Sequence, residues 1–558
     1  MIKQISIVQY RKLKTLDVEF IQGLNFISGA NGTCKSSLLH IISNSFQCVV
    51  ASSAGLTDKN CFGVIKGINA SLNPKIEALT KGDKKYNEPA NGIKGTLFTV
   101  EYINDLKLSF RRHNSKLANR YALKPKYSKG TTDKLPALPA IYLGLTRLYP
   151  FGEFNNETEI KKLNHKLPQK YQEELIRIYD DLTRIKISST QPQRIGYVKS
   201  RHDFDSQTKG VDANTISAGE DNVFIILTAL ISLKYYYESL QFSTRAVESV
   251  LLMDEFDATL HPALQIKLLE VVRCFSRQYK IQCIFTTHSL SLLEYSIRQG
   301  DNVIYLIDNI SKIDLMKDPD IFKIKMDLKT IARKDIYADK KIPIFMEDEE
   351  ARTFLTAMFD YWQGKDEKFK RIRNNFHLVE APLGCDALRH IFGDKKLLPI
   401  MRAICVLDGD QSKDMGNYII ALPGKASPEK LLLEYAETLY NASNDSFWRQ
   451  EEVEYSGYNK KFYSENVQLK YNTIKNKISD LKEEGKSTKG VLREKLKELW
   501  KENAEFIDLV LKEWLNDPNN KAQISQFMRD LNTMFRKTAL YHGINNRDWD
   551  IATEGNHA

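Results

Sequence analysis

The sequence predicts an α/β fold built from two successive alternations of strand and helix, followed by a helical C-terminal region. In the first alternation, the apolar run 24–27 leads through a Gly-rich loop into a helical pattern at about 36–46. The second alternation begins with the apolar run 342–347 and lasts to about residue 435. Beyond it, the chain shows helical patterns with charged faces and then a polar tail. Alternating strands and helices are typical of an α/β fold.

Length and composition restrict the classes of protein that need to be considered. The chain has 558 residues, 81 Lys+Arg against 71 Asp+Glu, a net charge of +10 and 42% hydrophobic residues. This length allows roughly two to four globular domains, and the composition excludes disorder as the main state. No stretch of about 18 uncharged apolar residues occurs, so no membrane span is expected. Seven cysteines without a CxxC pair predict reduced thiols in a cytoplasmic protein.

The Gly-rich loop at 29–36 has the pattern of a phosphate-binding loop. It lies between a predicted strand and a predicted helix, where backbone N–H groups and the helix N-terminus can bind phosphate oxygens. Lys35 would reach the β- and γ-phosphates of ATP, and Ser36 would hold Mg²⁺. Cys34 stands where the usual loop has glycine, and a plain Gly-rich turn is the alternative interpretation. The candidate nucleotide-binding residues in this loop are Gly29, Asn31, Gly32, Cys34, Lys35, Ser36 and Ser37.

Three later segments carry groups that would complete a nucleotide site. One apolar strand ends in two acids, of which Asp254 suits the Mg²⁺ shell and Glu255 suits a base that orients the attacking water. Another strand ends in His288. A third segment precedes an apolar helix and could present donors to a γ-phosphate bound by another subunit. Its candidate residues are Ser217, Gly219 and Glu220.

In this order the motifs resemble those of the ABC-type ATPase family, in the branch that includes RecF- and SMC-like proteins. The matching positions are residues 25–32 for Walker A, 217–220 for a shortened signature motif, 252–255 for Walker B, Asp257 for the D-loop and His288 for the switch histidine. The resemblance covers roughly residues 1–310 and implies that ATP is sandwiched between two heads of a homodimer. The SMC type is disfavoured, because no long heptad arm lies between Ser36 and Ile216.

A second constellation consists of acids that follow strands of the second alternation. Glu347 follows the first of these strands, and Asp408 and Asp410 follow the third. The carboxyl ends of neighbouring parallel strands share one edge, so these three carboxylates would meet there. Hard cations neutralise such a cluster, and oxygen-only ligation predicts Mg²⁺ or Mn²⁺. A solvated Asp-Gly-Asp turn is the alternative. The predicted strands are 342–346, 376–379, 403–407 and, as a candidate fourth, 417–422.

This arrangement resembles a Toprim domain, whose Glu and Asp-x-Asp residues bind the metal ions for phosphodiester cleavage. The resemblance implies that Glu347, Asp408 and Asp410 are metal ligands. Asp348 departs from the family pattern, which has glycine after the glutamate. Further candidate ligands are Glu350 and Glu429. The candidates for stabilising the leaving oxygen, for which a solvated face is the preferred interpretation, are Lys425 and Lys430.

An ABC-type ATPase followed by a Toprim domain is similar to the overcoming-lysogenization-defect (OLD) family of bacterial nucleases. The resemblance covers roughly residues 1–435 and implies a DNA substrate, ATP and Mg²⁺ or Mn²⁺ as cofactors, and a role in anti-phage defence. The family includes the ATPase–nuclease subunits of Gabija-type systems and the effector nucleases of some retrons. Overall similarity favours the retron type, which implies a reverse transcriptase and its RNA–DNA product as partners.

The predicted domains are an ABC-type ATPase head at 1–335, a Toprim-like domain at 336–435 and a helical region at 436–558. The head is expected to contain a basic loop or hairpin insertion at about 104–134 and a helical insertion at about 157–187.

The resulting hypothesis is metal-dependent DNA cleavage, with two metal ions activating water and stabilising the leaving oxygen and with the ATPase as dimeriser or gate. Two basic runs are candidates for phosphate contacts, and a solvated charged face is the alternative. Their residues are Arg111, Arg112, Lys116, Arg120, Lys124 and Lys126, with Lys368, Lys370, Arg371 and Arg373. The rival hypothesis is an ATP-switched DNA-binding or scaffold protein with an inactive Toprim domain, which Cys34 and Asp348 support. A RecF-like DNA-repair loader would leave the three acids unexplained.

Overall fold

The computed structural model divides the chain into two compact units, Met1–Thr330 and Ile331–Ala558. The division falls close to the predicted boundary at residue 335. The structure describes residues 1–50, 55–80, 88–115, 120–127, 130, 133–151, 159–196, 199–483 and 489–551.

The first unit contains fourteen strands and eight α-helices among its described residues. The strands are β1 (Ile2–Tyr10), β2 (Leu13–Glu19), β3 (Leu24–Gly29), β4 (Thr96–Tyr102), β5 (Lys107–Asn114), β6 (Tyr121–Lys126), β7 (Ala140–Leu143), β8 (Ile160–Lys162), β9 (Ile187–Ile195), β10 (Lys199–Ser206), β11 (Ser249–Met253), β12 (Ile281–Thr286), β13 (Asn302–Asp308) and β14 (Ile313–Leu315). The helices are α1 (Lys35–Ser43), α2 (Cys61–Ile68), α3 (Ile76–Leu79), α4 (Gln169–Thr183), α5 (Ala218–Glu238), α6 (Pro262–Gln278), α7 (Leu290–Gln299) and α8 (Ile321–Lys329).

Eleven of these strands form one sheet, in the order β6-β5-β4-β1-β2-β14-β13-β3-β12-β11-β7. Its β13-β3-β12-β11-β7 part is parallel, whereas β6, β5, β4, β1 and β2 pair antiparallel. Strands β8, β9 and β10 form a separate antiparallel sheet. The parallel pairing brings the carboxyl ends of β3, β11 and β12 to one edge. The predicted loop, the two acids and the histidine follow these three strands, so they lie at that edge.

Two hydrophobic cores cover the faces of the parallel region. In β11, Leu251 and Met253 belong to one core, while Val250 and Leu252 belong to the other. The first core also holds the apolar side chains of α5 and α6, and the second holds those of α1. Strands buried on both faces are continuous apolar runs, which explains the unbroken hydrophobic segments that precede each candidate motif.

The structure corrects the helical insertion predicted at about 157–187. Residues 157–158 lie outside the described residues, Ile160–Lys162 is strand β8, and the helix spans Gln169–Thr183. Pro168 precedes this helix and disfavours helical backbone in the residue before it. Arg184, with φ of 65°, ends the helix in a left-handed conformation.

The basic segment at about 104–134 contains the hairpin of β5 and β6, as expected. The hairpin pairs with β4 and forms one edge of the large sheet. Residues 116–119, 128–129 and 131–132 of the segment lie outside the described residues.

The second unit is built on a four-stranded parallel sheet in the order β16-β15-β17-β18. The four predicted strands are thus confirmed. The strands are β15 (Ile342–Met346), β16 (Phe376–Leu378), β17 (Ile404–Leu407) and β18 (Ile419–Ala421). The helices are α9 (Arg333–Tyr337), α10 (Glu349–Gln363), α11 (Glu367–Ile372), α12 (Cys385–Gly393), α13 (Leu398–Met401), α14 (Pro428–Asn441), α15 (Glu451–Tyr455), α16 (Lys460–Phe462), α17 (Leu469–Glu483), α18 (Lys489–Glu502), α19 (Ala504–Asn516) and α20 (Lys521–Thr538).

The helices of the C-terminal region belong to the same compact unit as this sheet. Trp514 of α19 packs on Phe354 of α10, with ring centroids 5.4 Å apart. Phe535 of α20 packs edge-on against Phe376 of β16 at 5.9 Å. The region predicted as a helical tail therefore contributes directly to the core around the sheet.

Two further observations concern membranes and thiols. Among the described residues, no helix is long and apolar enough to cross a membrane. All seven cysteines are free thiols.

Candidate functional site

The first site is built around the loop between β3 and α1. Gly29, at the end of β3, has φ of +149°, and a Cβ there would approach the carbonyl oxygen of Leu306 to 2.4 Å. Gly32 also has a positive φ, of 82°. The Lys35 ammonium donates to the carbonyl oxygens of Gly29 and Ala30, each at 2.9 Å. The loop therefore curls around its own lysine, in a conformation that requires glycine at Gly29.

The beginning of α1 is open to an anion. Cys34 precedes the helix and makes no side-chain capping bond to it. The first N–H groups of a helix have no partner within the helix and carry a partial positive charge. Ser36 and Asp254 line one cavity of about 610 Å³ next to these groups. Ser37 instead accepts a hydrogen bond from Arg11 at 2.9 Å, and Asn31 is exposed.

Cys34 adopts the left-handed conformation, with φ of 66°. Glycine tolerates this conformation, whereas for a residue with a Cβ it costs about 1–2 kcal/mol of conformational free energy. This strain explains why glycine is usual at this position of a phosphate-binding loop.

Replacing Cys34 by glycine is expected to stabilise the protein. Relief of the left-handed strain outweighs the extra freedom of the unfolded chain, so the free energy of unfolding should rise by about 0.5–1 kcal/mol. Thermal unfolding without nucleotide measures the effect. Cys48→Gly is the matched control, because Cys48 is exposed and does not have a positive φ; this variant should be destabilised. A Cys34→Gly protein that melts at or below the wild-type temperature would contradict the prediction.

The two acids after β11 are held by the neighbouring strand β12. Asp254 is buried, and its Oδ1 accepts a hydrogen bond from the Thr286 hydroxyl at 2.6 Å. The same hydroxyl oxygen accepts the N–H of Glu255 at 2.7 Å. Glu255 itself has φ of 49°, so its backbone turns sharply directly after the strand. Thr286 thereby fixes the position of both acids.

Asp257 and His288 meet at the same edge. The carboxylate of Asp257 accepts the Thr287 hydroxyl at 2.6 Å and the N–H of His288 at 3.3 Å. Burial, and then the positive charge of Lys35, lower the pKa of the His288 imidazole. A neutral imidazole close to Lys35 can accept a proton or a hydrogen bond from a group bound between them.

The segment before α5 forms a complete helix cap. The Ser217 hydroxyl accepts the N–H of Glu220, and the Glu220 carboxylate accepts the N–H of Ser217 at 2.8 Å. A Cβ on Gly219 would approach the carbonyl oxygen of Thr259 to 2.5 Å. Only glycine therefore lets the beginning of α5 pack on the turn that follows Asp257.

Together these groups define an ATPase-type domain in the first unit. A nucleoside triphosphate and its Mg²⁺ require a small set of groups, all of which are present here. These are a loop rich in backbone N–H groups, a lysine, a serine beside a buried aspartate, and a glutamate that follows this aspartate. The residues present fit both groups, because the Ser36 and Asp254 oxygens share one cavity and oxygen ligands suit Mg²⁺.

A match to one family model agrees with this class. Residues 64–294 match the family model described as "AAA domain, putative AbiEii toxin, Type IV TA system". Similar solved structures include the SMC head domain from Thermotoga maritima (10% identity, 57% of this chain, 100% of that chain, TM-score 0.32). The recombination mediator protein RecF with ATP is also similar (12% identity, 57% of this chain, 97% of that chain, TM-score 0.30). None of the curated proteins compared with the chain matches it.

The second site lies at the carboxyl ends of the parallel strands of the second unit. Glu347 and Asp408 follow neighbouring strands β15 and β17, and the N–H of Asp408 donates to the Glu347 carboxylate at 3.3 Å. Both side chains are buried. Arg493 of α18 reaches between them, 3.1 Å from Glu347 and 2.5 Å from Asp408. It also contacts Asp348 at 2.9 Å and lies 3.5 Å from Glu429.

Several carboxylate oxygens of this cluster have a cation within 4 Å or are buried, yet accept no hydrogen bond. One oxygen of Asp408, one of Glu350 and both of Glu429 are buried without a hydrogen bond. Burial and the neighbouring Glu347 raise the pKa of Asp408 to about 8. Buried acids with free lone pairs favour a cation as a further partner. The donor atoms are all oxygens, which is the ligand type that hard divalent ions prefer.

Asp410 differs from the other two predicted ligands in its exposure. Its carboxylate is exposed and accepts a hydrogen bond from Gln411 at 3.1 Å. Among the residues that the structure describes, no group of three or more His, Cys, Asp or Glu side chains is arranged to hold a metal ion. The guanidinium of Arg493 occupies the space between the acids instead. The structure thus brings Glu347 and Asp408 together but not Asp410.

Sequence reasoning missed the cations of α18. Lys497 lies 2.6 Å from Asp348 and 3.4 Å from Glu350, and Lys501 lies 3.8 Å from Glu350. With Arg493 these residues are spaced four apart, so they form one face of the helix. This four-residue spacing of basic residues is visible in the sequence and could have predicted a basic helix face. Asp348, which departs from the Toprim pattern, both caps α10 and binds this face.

The two basic runs differ in their surroundings. In the second run, Lys370 is 3.4 Å from Glu367, Arg373 is 2.5 Å from Asp360, and Lys368 donates to a backbone carbonyl. Lys370 and Arg373 are therefore paired with acids, whereas Lys368 has only a neutral acceptor and Arg371 is exposed.

The hairpin of β5 and β6 has exposed basic side chains. Arg111 and Lys124 are exposed and directly opposite each other, and Lys126 is exposed on the same face. Directly opposed like charges destabilise a hairpin. Of its other predicted contacts, Arg112 pairs with Glu88 and Arg120 donates to a carbonyl, while Lys116 lies outside the described residues.

Proposed function

We propose that this protein is an ATP-binding, metal-dependent DNA endonuclease in which an ABC-type ATPase head gates a Toprim-like active site. The cluster of buried, under-partnered carboxylates around Arg493 carries the proposal. Gathering Glu347, Asp408 and Glu429 at one sheet edge is costly, because each buried charge loses its hydration. Catalysis with hard cations is a function that would justify this cost.

In the ATPase head, the chain's own groups have distinct tasks. Lys35 and the N–H groups at the beginning of α1 would bind the phosphates, and Ser36 and Asp254 would hold Mg²⁺. Glu255 would orient the attacking water and accept its proton. His288, held by Asp257, would contact the γ-phosphate. Mg²⁺ would neutralise charge on the phosphate oxygens.

Dimerisation of two heads is the proposed gate. The beginning of α5 presents a glycine and a capped helix N-terminus, which suit the γ-phosphate bound by a second copy. In an ABC-type arrangement, residues such as Ser217 complete the nucleotide site of the partner. ATP binding would then join two heads, and hydrolysis would release them.

In the Toprim-like domain, Glu347 and Asp408 would hold the metal ions, with Glu429 and Glu350 supplying further oxygens. Asp410 would join them after rotation of its exposed side chain. Bound metal would activate water and stabilise the leaving oxygen of the phosphodiester. Mg²⁺ or Mn²⁺ suits these oxygen ligands.

The hairpin of β5 and β6 is the proposed DNA-binding surface. Arg111, Lys124 and Lys126 form an exposed basic patch that would be neutralised by DNA phosphates. The salt dependence of DNA binding should weaken when these residues are replaced.

We further propose that the protein acts in anti-phage defence as an OLD-type effector, of the retron-associated kind. The combination of the ATPase motifs with the Glu347 and Asp408 pair supports this proposal, as does the toxin–antitoxin description of the matching family model. A reverse transcriptase and its RNA–DNA product would be the partners. Plasmid relaxation by purified protein with Mg²⁺ or Mn²⁺ tests the nuclease, and co-purification with neighbouring operon products tests the partners.

Removing Arg493 is expected to increase metal affinity. Its guanidinium binds the same carboxylate oxygens that a metal ion needs, so Arg493→Gln should tighten Mn²⁺ binding about tenfold, or about 1.4 kcal/mol. Calorimetric titration with Mn²⁺ alone measures this. Arg389→Gln, which removes an arginine bound to Ser412 outside the cluster, should leave the affinity unchanged. Equal Mn²⁺ affinity in wild type and Arg493→Gln would contradict metal binding at these acids.

A second candidate function is an ATP-switched DNA-binding or scaffold protein. The observation in its favour is that Arg493 forms ion pairs with Glu347, Asp348 and Asp408, so the acids could serve only to anchor α18. In that case the purified protein would bind ATP and DNA but would neither hold a divalent metal ion nor relax plasmid.

A further inference from the structure

A buried arginine joins the parts of the ATPase site. Arg147 follows β7 in a short 3₁₀-helix and is only 3% exposed. Its guanidinium donates to the carbonyl oxygens of Asp254 at 2.7 Å and Glu255 at 2.8 Å. It also donates to the carbonyls of Leu143 and Gly144 at the end of β7. Burial lowers the pKa of Arg147 only to about 10, so the group remains charged at neutral pH.

These contacts hold the backbone of Glu255 at both ends. Its N–H donates to the Thr286 hydroxyl, and its carbonyl accepts from Arg147. With φ of 49°, Glu255 adopts a conformation that residues with a side chain rarely populate. Such strain persists only where the surroundings impose it. Arg147 is thus part of what fixes the direction of the Glu255 side chain.

The Arg147 guanidinium also contacts α5, the helix whose N-terminus is proposed to face the second copy of the protein. The Arg147 Nε donates to the Asn222 side chain at 2.9 Å, and Asn222 lies in the second turn of α5. Asn222 in turn donates to the carbonyl of Ala258 at 3.2 Å, in the turn after Asp257. Arg147 and Asn222 therefore link α5, the turn after Asp257 and the backbone of Glu255 in one buried hydrogen-bonded network.

We propose that Arg147 is a positioning residue of the ATPase reaction, which holds Glu255 in place and couples it to α5 through Asn222. A shift of α5 on contact with the nucleotide of a second copy would pass through this network to the Glu255 of the same head. The inference rests on the proposed ATPase function of the site. A planar guanidinium carries five N–H donors in a fixed plane for these acceptors, whereas a lysine ammonium carries three.

The test compares Arg147→Lys and Asn222→Ala with wild type in three measurements on the full chain. Hydrogen–deuterium exchange of residues 254–259 without nucleotide should accelerate about tenfold in Arg147→Lys, because hydrogen bonds that hold this turn are lost. The kcat for ATP should fall about 100-fold, while the affinity for ATPγS stays within about threefold of wild type. Asn222→Ala should change exchange and kcat in the same direction by smaller factors.

Arg273→Lys is the matched control. Arg273 is also a buried arginine of this unit, but it pairs with Asp301 and Glu270. Its replacement should leave exchange of residues 254–259 and kcat unchanged. Unchanged exchange of this segment in both test variants, a parallel fall of kcat and ATPγS affinity, or an equal kcat loss in Arg273→Lys would each overturn the inference. If the wild type does not hydrolyse ATP, the proposed function fails, and the exchange comparison still decides whether Arg147 holds the Glu255 turn.

Discussion

Replacement of Asp408 and Asp410 together by alanine is expected to abolish nicking of plasmid DNA with Mg²⁺ or Mn²⁺ while ATP binding persists. Asp408 is buried beside Glu347 at the sheet edge, so its loss removes a central metal ligand of the proposed site. Losing metal-assisted activation of water and of the leaving oxygen costs several kcal/mol of transition-state stabilisation, or a rate loss of about a thousandfold or more. Conversion of supercoiled to open-circular plasmid measures the loss.

The single variants separate the two aspartates. Asp408→Ala should resemble the double variant, because this side chain lies within the cluster. Asp410→Ala reports whether the exposed carboxylate joins the metal ions during cleavage. Glu434→Ala is the matched control, since Glu434 lies on α14 with Glu429 but pairs with Lys430 at the surface; it should cleave normally. Cleavage by the purified double variant would refute the active-site assignment.

Replacement of Glu255 by glutamine is expected to stop ATP hydrolysis without preventing ATP binding. Glutamine has nearly the same shape but cannot accept a proton, and a general base contributes a factor of about 10²–10⁴ in rate. Unhydrolysed ATP should then hold two heads together, so the variant should become a dimer with ATP. Phosphate release and light scattering after size-exclusion chromatography measure the two effects.

Two further variants serve as controls for the Glu255→Gln experiment. Lys35→Ala should lose ATP binding and remain monomeric when ATP is added, because the variant lacks the positive charge that the phosphates require. Glu294→Gln replaces a partly exposed glutamate that pairs with Arg298, so hydrolysis should be unaffected. A Glu255→Gln protein that hydrolyses ATP at the wild-type rate would exclude Glu255 as the base.

Local sequence patterns were sufficient for the strands that carry the candidate motifs. The runs before Gly29, Asp254, Glu347 and Asp408 are all β-strands, and the four strands predicted in the second unit pair in parallel. Buried parallel strands are apolar on both faces, so they stand out in a sequence. Helix ends were less predictable. The segment at 157–187 shows this, because local backbone at Pro168 and Arg184 limits its helix.

The sequence by itself determined the order of strands along the chain, the Gly-rich loop between β3 and α1 and the acids that follow strands, because each depends on residues adjacent in the chain. Only the tertiary structure decided which of these groups meet. It placed Arg493, far along the chain, among Glu347, Asp348 and Asp408, and left Asp410 exposed. It also buried Arg147 against the carbonyls of Asp254 and Glu255. An arginine in a sequence is most often solvated. Its role as a counter-ion or a backbone anchor is set by the packing that removes it from water.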